Sequence, residues 1–214
     1  MTPRDLFRPL PPFLRALALA RPAICPMEPL AAAIGRPRSL LDLGCGGGAI
    51  LGQMLLAARP RRALGSDIDP RHVAAAARVA AAARRLAPAA AYEARCIDTP
   101  NDWPEERFDC VLLVDVLHHV PPAERRAMVE GAAGRLAPGG RLVVKEMAPR
   151  PWHGALGNRL HDLVLTGEWV RYQPMEEVAA WARGAGLAAD ERQHYRRLWY
   201  FHELQVFHAP PAAA

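Results

Sequence analysis

The chain has 214 residues, enough to close one domain around a sizeable core, and 51% of them are apolar, as in a soluble globular protein. Its four cysteines, Cys25, Cys45, Cys96 and Cys110, form no CxxC pair, which excludes a small zinc module or a disulfide framework and points to a reducing cytoplasm. The formal charge of +5 is almost all arginine, with Lys145 the only lysine, and it marks a compositional bias rather than a dedicated polyanion surface.

Residues 1–38 are punctuated by proline and carry six arginines, and they read as a helical lead-in lying over the domain. Phe13 to Ile24 is apolar, but Arg15 and Arg21 interrupt it and Pro22 and Pro26 follow, which predicts a short helix rather than a secretory segment. No stretch approaches the ~18 consecutive apolar residues that suggest a membrane helix. The organised part spans 39–209. Residues 39–43 (SLLDL) form a strand that ends in glycines, followed by a helix over 49–58 and a second strand over 62–67. Pro70 opens an Ala-rich helix running to about Leu86, and a short strand covers 92–96. Phe108 to Val114 is nearly unbroken in apolar character, as in a parallel strand buried on both faces. A helix over 123–136 is expected to stop at Pro138-Gly139-Gly140, before a fifth strand over 141–146. Residues 149–174 break the rhythm as an insertion. A helix returns over 175–184, then two strands over 187–195 and 199–208, and a frayed tail at 210–214. Strand and helix alternating at this spacing predict an α/β fold with a largely parallel, seven-stranded sheet and helices on both faces.

The most informative segment is Asp42-Leu43-Gly44-Cys45-Gly46-Gly47-Gly48. A strand that ends in glycines and feeds a helix lets backbone approach a ligand, with free N–H groups at the helix start. Its spacing fits two patterns: Gly44-x-Gly46-x-x-Ala49 satisfies the dinucleotide-binding fingerprint, and Asp42-x-Gly44-x-Gly46-x-Gly48 satisfies another. Asp67 ends the second strand, Cys96-Ile97-Asp98 the third, and Asp115-Val116-Leu117-His118-His119 follows the fourth.

In these segments, taken in this order, the chain resembles the class I S-adenosylmethionine-dependent methyltransferases, over roughly residues 39 to 147. The resemblance implies a Rossmann-like fold and S-adenosyl-L-methionine as cofactor. It places Asp42, Gly44, Cys45, Gly46 and Gly48 around the methionine moiety and sugar, and Asp67 with Ile68 at the ribose hydroxyls. Ile97 and Asp98 would stand at the adenine, and Asp115 in the loop over the cofactor. A nicotinamide enzyme would account for the first glycines and Asp67, but not for the Asp115–His119 loop or the Pro-Gly-Gly turn.

Methyl transfer from a sulfonium is an in-line displacement, helped mainly by holding the acceptor close and aligned. A hydroxyl, phenol or acidic carbon also needs a base poised near neutral pH, which makes His118 and His119 candidates, with Glu146 at the end of the fifth strand as a third. Trp152, His153, His161, Trp169 and Tyr172 in the inserted segment are candidates to line an acceptor pocket. No metal is implied, since His118, His119 and Glu146 lack a ligand spacing. No Asn/Asp-Pro-Pro-Tyr/Phe tetrad follows the fourth strand and no RNA-binding module is appended, which favours a small acceptor: a phenol, a quinone-like ring or a lipid-related intermediate, methylated on oxygen or carbon. The alternatives are an RNA or protein methyltransferase steered by the basic lead-in, and a catalytically silent cofactor-binding domain that serves a partner. Oligomeric state leaves no trace in the sequence.

Overall fold

A computed structural model describes residues 2–85, 87–97, 102–148 and 172–212. Three helices come first, α1 (Pro3–Leu6), α2 (Pro12–Ile24) and α3 (Met27–Ile34). The alternating part follows as β1 (Ser39–Leu43), α4 (Ala49–Ala57), β2 (Arg62–Asp67), α5 (Pro70–Arg84), β3 (Ala91–Cys96) and β4 (Phe108–Val114). It continues with a 3-10 turn (Leu117–His119), α6 (Arg125–Gly134) and β5 (Leu136–Met147). The last described elements are α7 (Met175–Gly184), β6 (Ala188–Ala189), β7 (Gln193–Arg197) and β8 (Tyr200–His208).

All the strands join one sheet in the order β3-β2-β1-β4-β5-β8-β6, with β7 also paired to β8. The first five are parallel, and β8 runs antiparallel to β5, β6 and β7. The apolar run of β4 occupies the centre, where burial on both faces suits it. Side chains alternate between the faces, and two cores result. One lies beneath α1 to α5 and includes Leu6, Phe7, Leu40, Leu112 and Leu204. The other lies beneath α6 and α7 and includes Leu41, Leu113, Val144 and Phe207. The starts of β1 and β4 are pinned together, since Asp109 accepts from the N–H groups of Arg38 and Ser39 while Ser39 Oγ accepts from Asp109 N.

The sheet departs from the expected pattern in three places. The single strand expected over 187–195 is split into β6 and β7: Ala189 pairs with Phe207 and Asp190 N–H still donates to the Val206 carbonyl, but Gln193 pairs with Leu204, so an extra residue bulges out within the charged Asp190-Glu191-Arg192 run and the sheet has eight strands. Pro138-Gly139-Gly140 does not separate a helix from a strand. The helix ends at Gly134, and β5 already begins at Leu136 and passes through the two glycines with a register shift against Phe108 and Cys110. Gly140 permits this, since a Cβ there would stand 3.0 Å from the Phe108 carbonyl oxygen. β7 runs on to Arg197, two residues past the end expected at 195, and the chain reverses at Leu198-Trp199.

Candidate active site

The strand order reverses direction between β1 and β4, and the carboxyl ends of β1, β2, β4 and β5 open on one side of the sheet. Open parallel sheets place their ligands at such a switch point. Gly44, Gly46 and Gly48 all have positive φ, so the loop after β1 turns tightly with its backbone outward. At Gly44 the Val116 side chain fills the place a Cβ would need, so the loop after β4 packs its Val116 methyl on the backbone of the loop after β1. At Gly46 nothing lies within 4 Å of the Cβ position, which leaves room in front of the loop.

Asp67, at the end of β2, ties this loop down. Its Oδ2 accepts from Gly46 N at 2.8 Å and its Oδ1 from Asp69 N at 3.0 Å, and His72 Nδ1 approaches Oδ1 at 3.3 Å. Ile68 beside it is 70% exposed, an apolar platform at the rim. Asp42 lies inside β1, buried, with no hydrogen-bond partner at Oδ2 among the described residues. Burial, and then the nearby Asp67 carboxylate, push its carboxyl up to about 7. Cys45 points away from the opening: its thiol packs at Gly65 of β2, and burial raises it well above the usual thiol range. Ile97 is buried, with its N–H on the Asp67 carbonyl. Asp98 lies outside the described residues, as do Trp152, His153, His161 and Trp169.

On the β4–β5 side, Glu146 is fully buried and accepts three hydrogen bonds. Oε1 takes the N–H groups of Val116 and Leu117 at 3.0 and 2.7 Å, and Oε2 meets His118 Nδ1 at 2.6 Å. Glu146 therefore folds the loop after β4 into its 3-10 turn and sets the His118 tautomer, with the proton on Nδ1 and the lone pair on Nε2. The His118 ring lies 4.2 Å from that of His119 and meets Tyr172 edge-on at 5.7 Å. The next residue, Gln173, is anchored beside the same loop: its Oε1 accepts from buried Arg125, whose Nε also donates to the Val120 carbonyl. Of the sequence candidates, the structure thus joins His118, His119, Glu146 and Tyr172 in one cluster. Glu146 is enclosed and meets the rings of this cluster through His118.

Asp115, expected at the cofactor, instead directs its carboxylate to two cations. Lys145 Nζ lies at 2.6 and 2.7 Å from its two oxygens, and Arg21 Nη2 from α2 at 2.6 Å. Its backbone lies in the left-handed region, with φ +55. Burial alone would raise the carboxyl, but Lys145 and then Arg21 hold it well below the usual carboxylate range. Arg21, His72 and Arg125, which the fold brings to these side chains, carry nothing in the sequence that marks them. Lys145 offered one signal, as the only lysine of the chain, set between the apolar Val144 and the acidic Glu146.

Residues 41–142 match a family model described as a methyltransferase domain. Over 157 residues the chain is 30% identical to the ubiquinone biosynthesis O-methyltransferase of Alkalilimnicola ehrlichii, an alignment covering 70% of this chain and 60% of that protein. The chain therefore spans less than two thirds of the length of that relative. Among solved structures it resembles an O-methyltransferase family protein from Burkholderia thailandensis, with a TM-score of 0.76 at 24% identity over 94% of this chain and 59% of the other. It also resembles the magnesium protoporphyrin IX methyltransferase from Synechocystis PCC 6803, solved with bound SAH, with a TM-score of 0.65 at 19% identity over 92% of this chain and 87% of the other. At these identities the two structures speak for the fold. By this match, and with the strand order reversing at the glycine loop, the chain carries over residues 41–142 a methyltransferase domain of the class I, S-adenosylmethionine-dependent family.

Proposed function

We propose that this chain methylates a hydroxyl group of a small molecule, phenolic or quinone-like, with S-adenosyl-L-methionine as donor and His118 as the base. The observation that carries this is the buried Glu146–His118 pair at the carboxyl ends of β4 and β5, next to the glycine loop. The residues around the loop fit the cofactor, since Gly46 leaves open space in front of the loop, Asp42 of β1 keeps an Oδ2 unpartnered among the described residues, and exposed Ile68 offers an apolar face next to Asp67. When bound, the cofactor supplies an electrophilic methyl group on a sulfonium.

The chain's own part is positioning and proton transfer. Gly44, Gly46 and Gly48 present backbone, and Asp67 holds the loop by the Gly46 N–H. His118 Nε2 takes the proton of the acceptor hydroxyl, and Glu146 stabilises the imidazolium that results, since a buried carboxylate at Nδ1 favours the charged ring. Tyr172 and His119 pack against that ring and restrict its rotation. A base aligned in this way suits an oxygen acceptor, and the relative named as an O-methyltransferase supports the same choice.

The test supplies methyl-labelled cofactor and purified protein to a cell extract that is split into organic-soluble, RNA and protein fractions. Label in the organic fraction is expected, in an alkali-stable ether by mass spectrometry. Label confined to RNA or protein would replace the small acceptor with a macromolecular one, and tight cofactor binding without label in any fraction would favour a silent domain.

A further inference from the structure

The Asp115 cluster has a charge imbalance that the base and the glycine loop do not use. Lys145 is fully buried and Arg21 is three-quarters buried, yet the two cations share one carboxylate. Desolvated charge is costly unless paired, so two cations on one anion leave about one positive charge to be met by something else. Two further observations point the same way. Arg21 Nε is buried without a hydrogen-bond partner among the described residues, beside the nitrogen that reaches Asp115. His202 on β8, stacked on Tyr200 and buried, has no well-formed hydrogen bond at either ring nitrogen, although the Ile24 backbone lies near enough to favour its charged form slightly. Burial, and then the Lys145 cation, push His202 down to about 3, so the ring is neutral and offers an N–H without adding charge.

The cluster also stands in the right place. Asp115 immediately precedes Val116, which touches the glycine loop, and the loop runs on to His118. Lys145 and His202 come from β5 and β8 on the sheet face covered by α2, and Glu146 projects to the other face. Arg21, reaching in from α2, forms the partly exposed edge.

We propose that Arg21, backed by Lys145 and His202, is a subsite for an anionic group of the methyl acceptor, a carboxylate in the simplest case. This rests on the small-molecule function above. A carboxylate would accept from Arg21 Nε, and its charge would offset the surplus on Arg21 and Lys145. Asp115 then keeps Lys145 and orients the guanidinium, and Arg21 is the residue that selects the acceptor.

The test measures equilibrium binding to the full chain saturated with S-adenosylhomocysteine, using 3,4-dihydroxybenzoate and 4-hydroxybenzoate against their uncharged methyl esters and amides. The acids are expected to bind at least ~10-fold more tightly than the neutral partners, as charge-assisted hydrogen bonds imply. Arg21→Met should bring that ratio close to one while leaving S-adenosylhomocysteine affinity unchanged, and Arg21→Lys should keep part of the preference. Thermal melts of each variant separate a lost subsite from a lost fold, with Arg21→Lys as the fallback if the methionine variant unfolds. Equal binding of acid and ester by the wild-type chain, no binding of any acid up to about 10 mM, or a preference that survives in Arg21→Met would each overturn the subsite. Weaker S-adenosylhomocysteine binding by Arg21→Met, with unchanged binding of 5′-methylthioadenosine, would assign the anion to the cofactor and overturn it as well. A failed labelling experiment would remove the methyl acceptor function without altering these binding ratios, so the two failures are distinguishable.

Discussion

At Gly46 and Gly44 the same residue type serves two different physical ends. Gly46 faces open space, so Gly46→Arg should leave a folded chain that no longer binds S-adenosylhomocysteine; calorimetry together with a melting curve checks both halves. Gly44 is pressed on Val116, and Gly44→Ala should instead lower stability by about 1–3 kcal/mol, as overpacking does, read from urea unfolding. Asp67 holds Gly46 N and faces the opening, so Asp67→Ala should weaken S-adenosylhomocysteine binding by about 1–3 kcal/mol. His118→Gln should reduce kcat by about 10²–10⁴-fold and remove the rise of rate with pH, with cofactor affinity kept. Glu146→Gln should lower kcat less severely while shifting the apparent pKa of that profile downward, because the imidazolium loses its carboxylate. An unchanged profile in Glu146→Gln would reduce Glu146 to a loop anchor for Val116 and Leu117.

At the scale of elements, the helical lead-in is part of the packed structure. Leu6 and Phe7 are fully buried, and the Phe7 ring fills the place that a side chain at Gly52 of α4 would need. Val79 of α5 closes the same spot, so α1, α4 and α5 meet around a residue without a Cβ. Phe7→Ala should therefore cost about 3–5 kcal/mol in urea unfolding, the range of buried aromatic truncations. This packing fixes the start of α2 and, through it, the reach of Arg21 to Asp115. The expectation that residues 1–38 form helix over the domain was legible from proline spacing and apolar content. Their attachment to the site was not, because Arg21 looks like any of the six arginines in that stretch.

At the scale of the whole molecule, two buried carboxylates pull stability in opposite directions with pH. Asp42 has its folded pKa raised to about 7 from 3.8, so its contribution is complete below about pH 4 and is lost as pH rises through about 7. Asp115 is held low by Lys145 and Arg21, so its contribution is present above the ordinary carboxylate range and is lost as pH falls through its folded value. Asp42→Asn should therefore gain stability relative to the wild-type chain between pH ~5 and pH ~8, measured without cofactor, on the order of a few kcal/mol. A constant difference across that range would mean that Asp42 titrates normally.

Local chemistry determined a good deal by itself. The bounds of β1 and β4 coincide with their apolar runs, because a strand buried on both faces requires such a run. The glycine loop and Asp67 were legible for a similar reason, since positive φ at Gly44, Gly46 and Gly48 restricts those positions to glycine. The tertiary structure alone decided the partners. Arg21 and Asp115 are 94 residues apart, and the strand order and the crossing of α2 bring them together. Lys145 and Glu146 are neighbours in sequence, yet the alternation of side chains along β5 sends one to Asp115 and the other to His118. The split of β6 from β7 and the passage of β5 through Gly139 and Gly140 were likewise settled by pairing with β8 and β4. Local propensity sets where an element can form, but ion pairs and ladder registers depend on which elements become neighbours, and only the folded sheet supplies that.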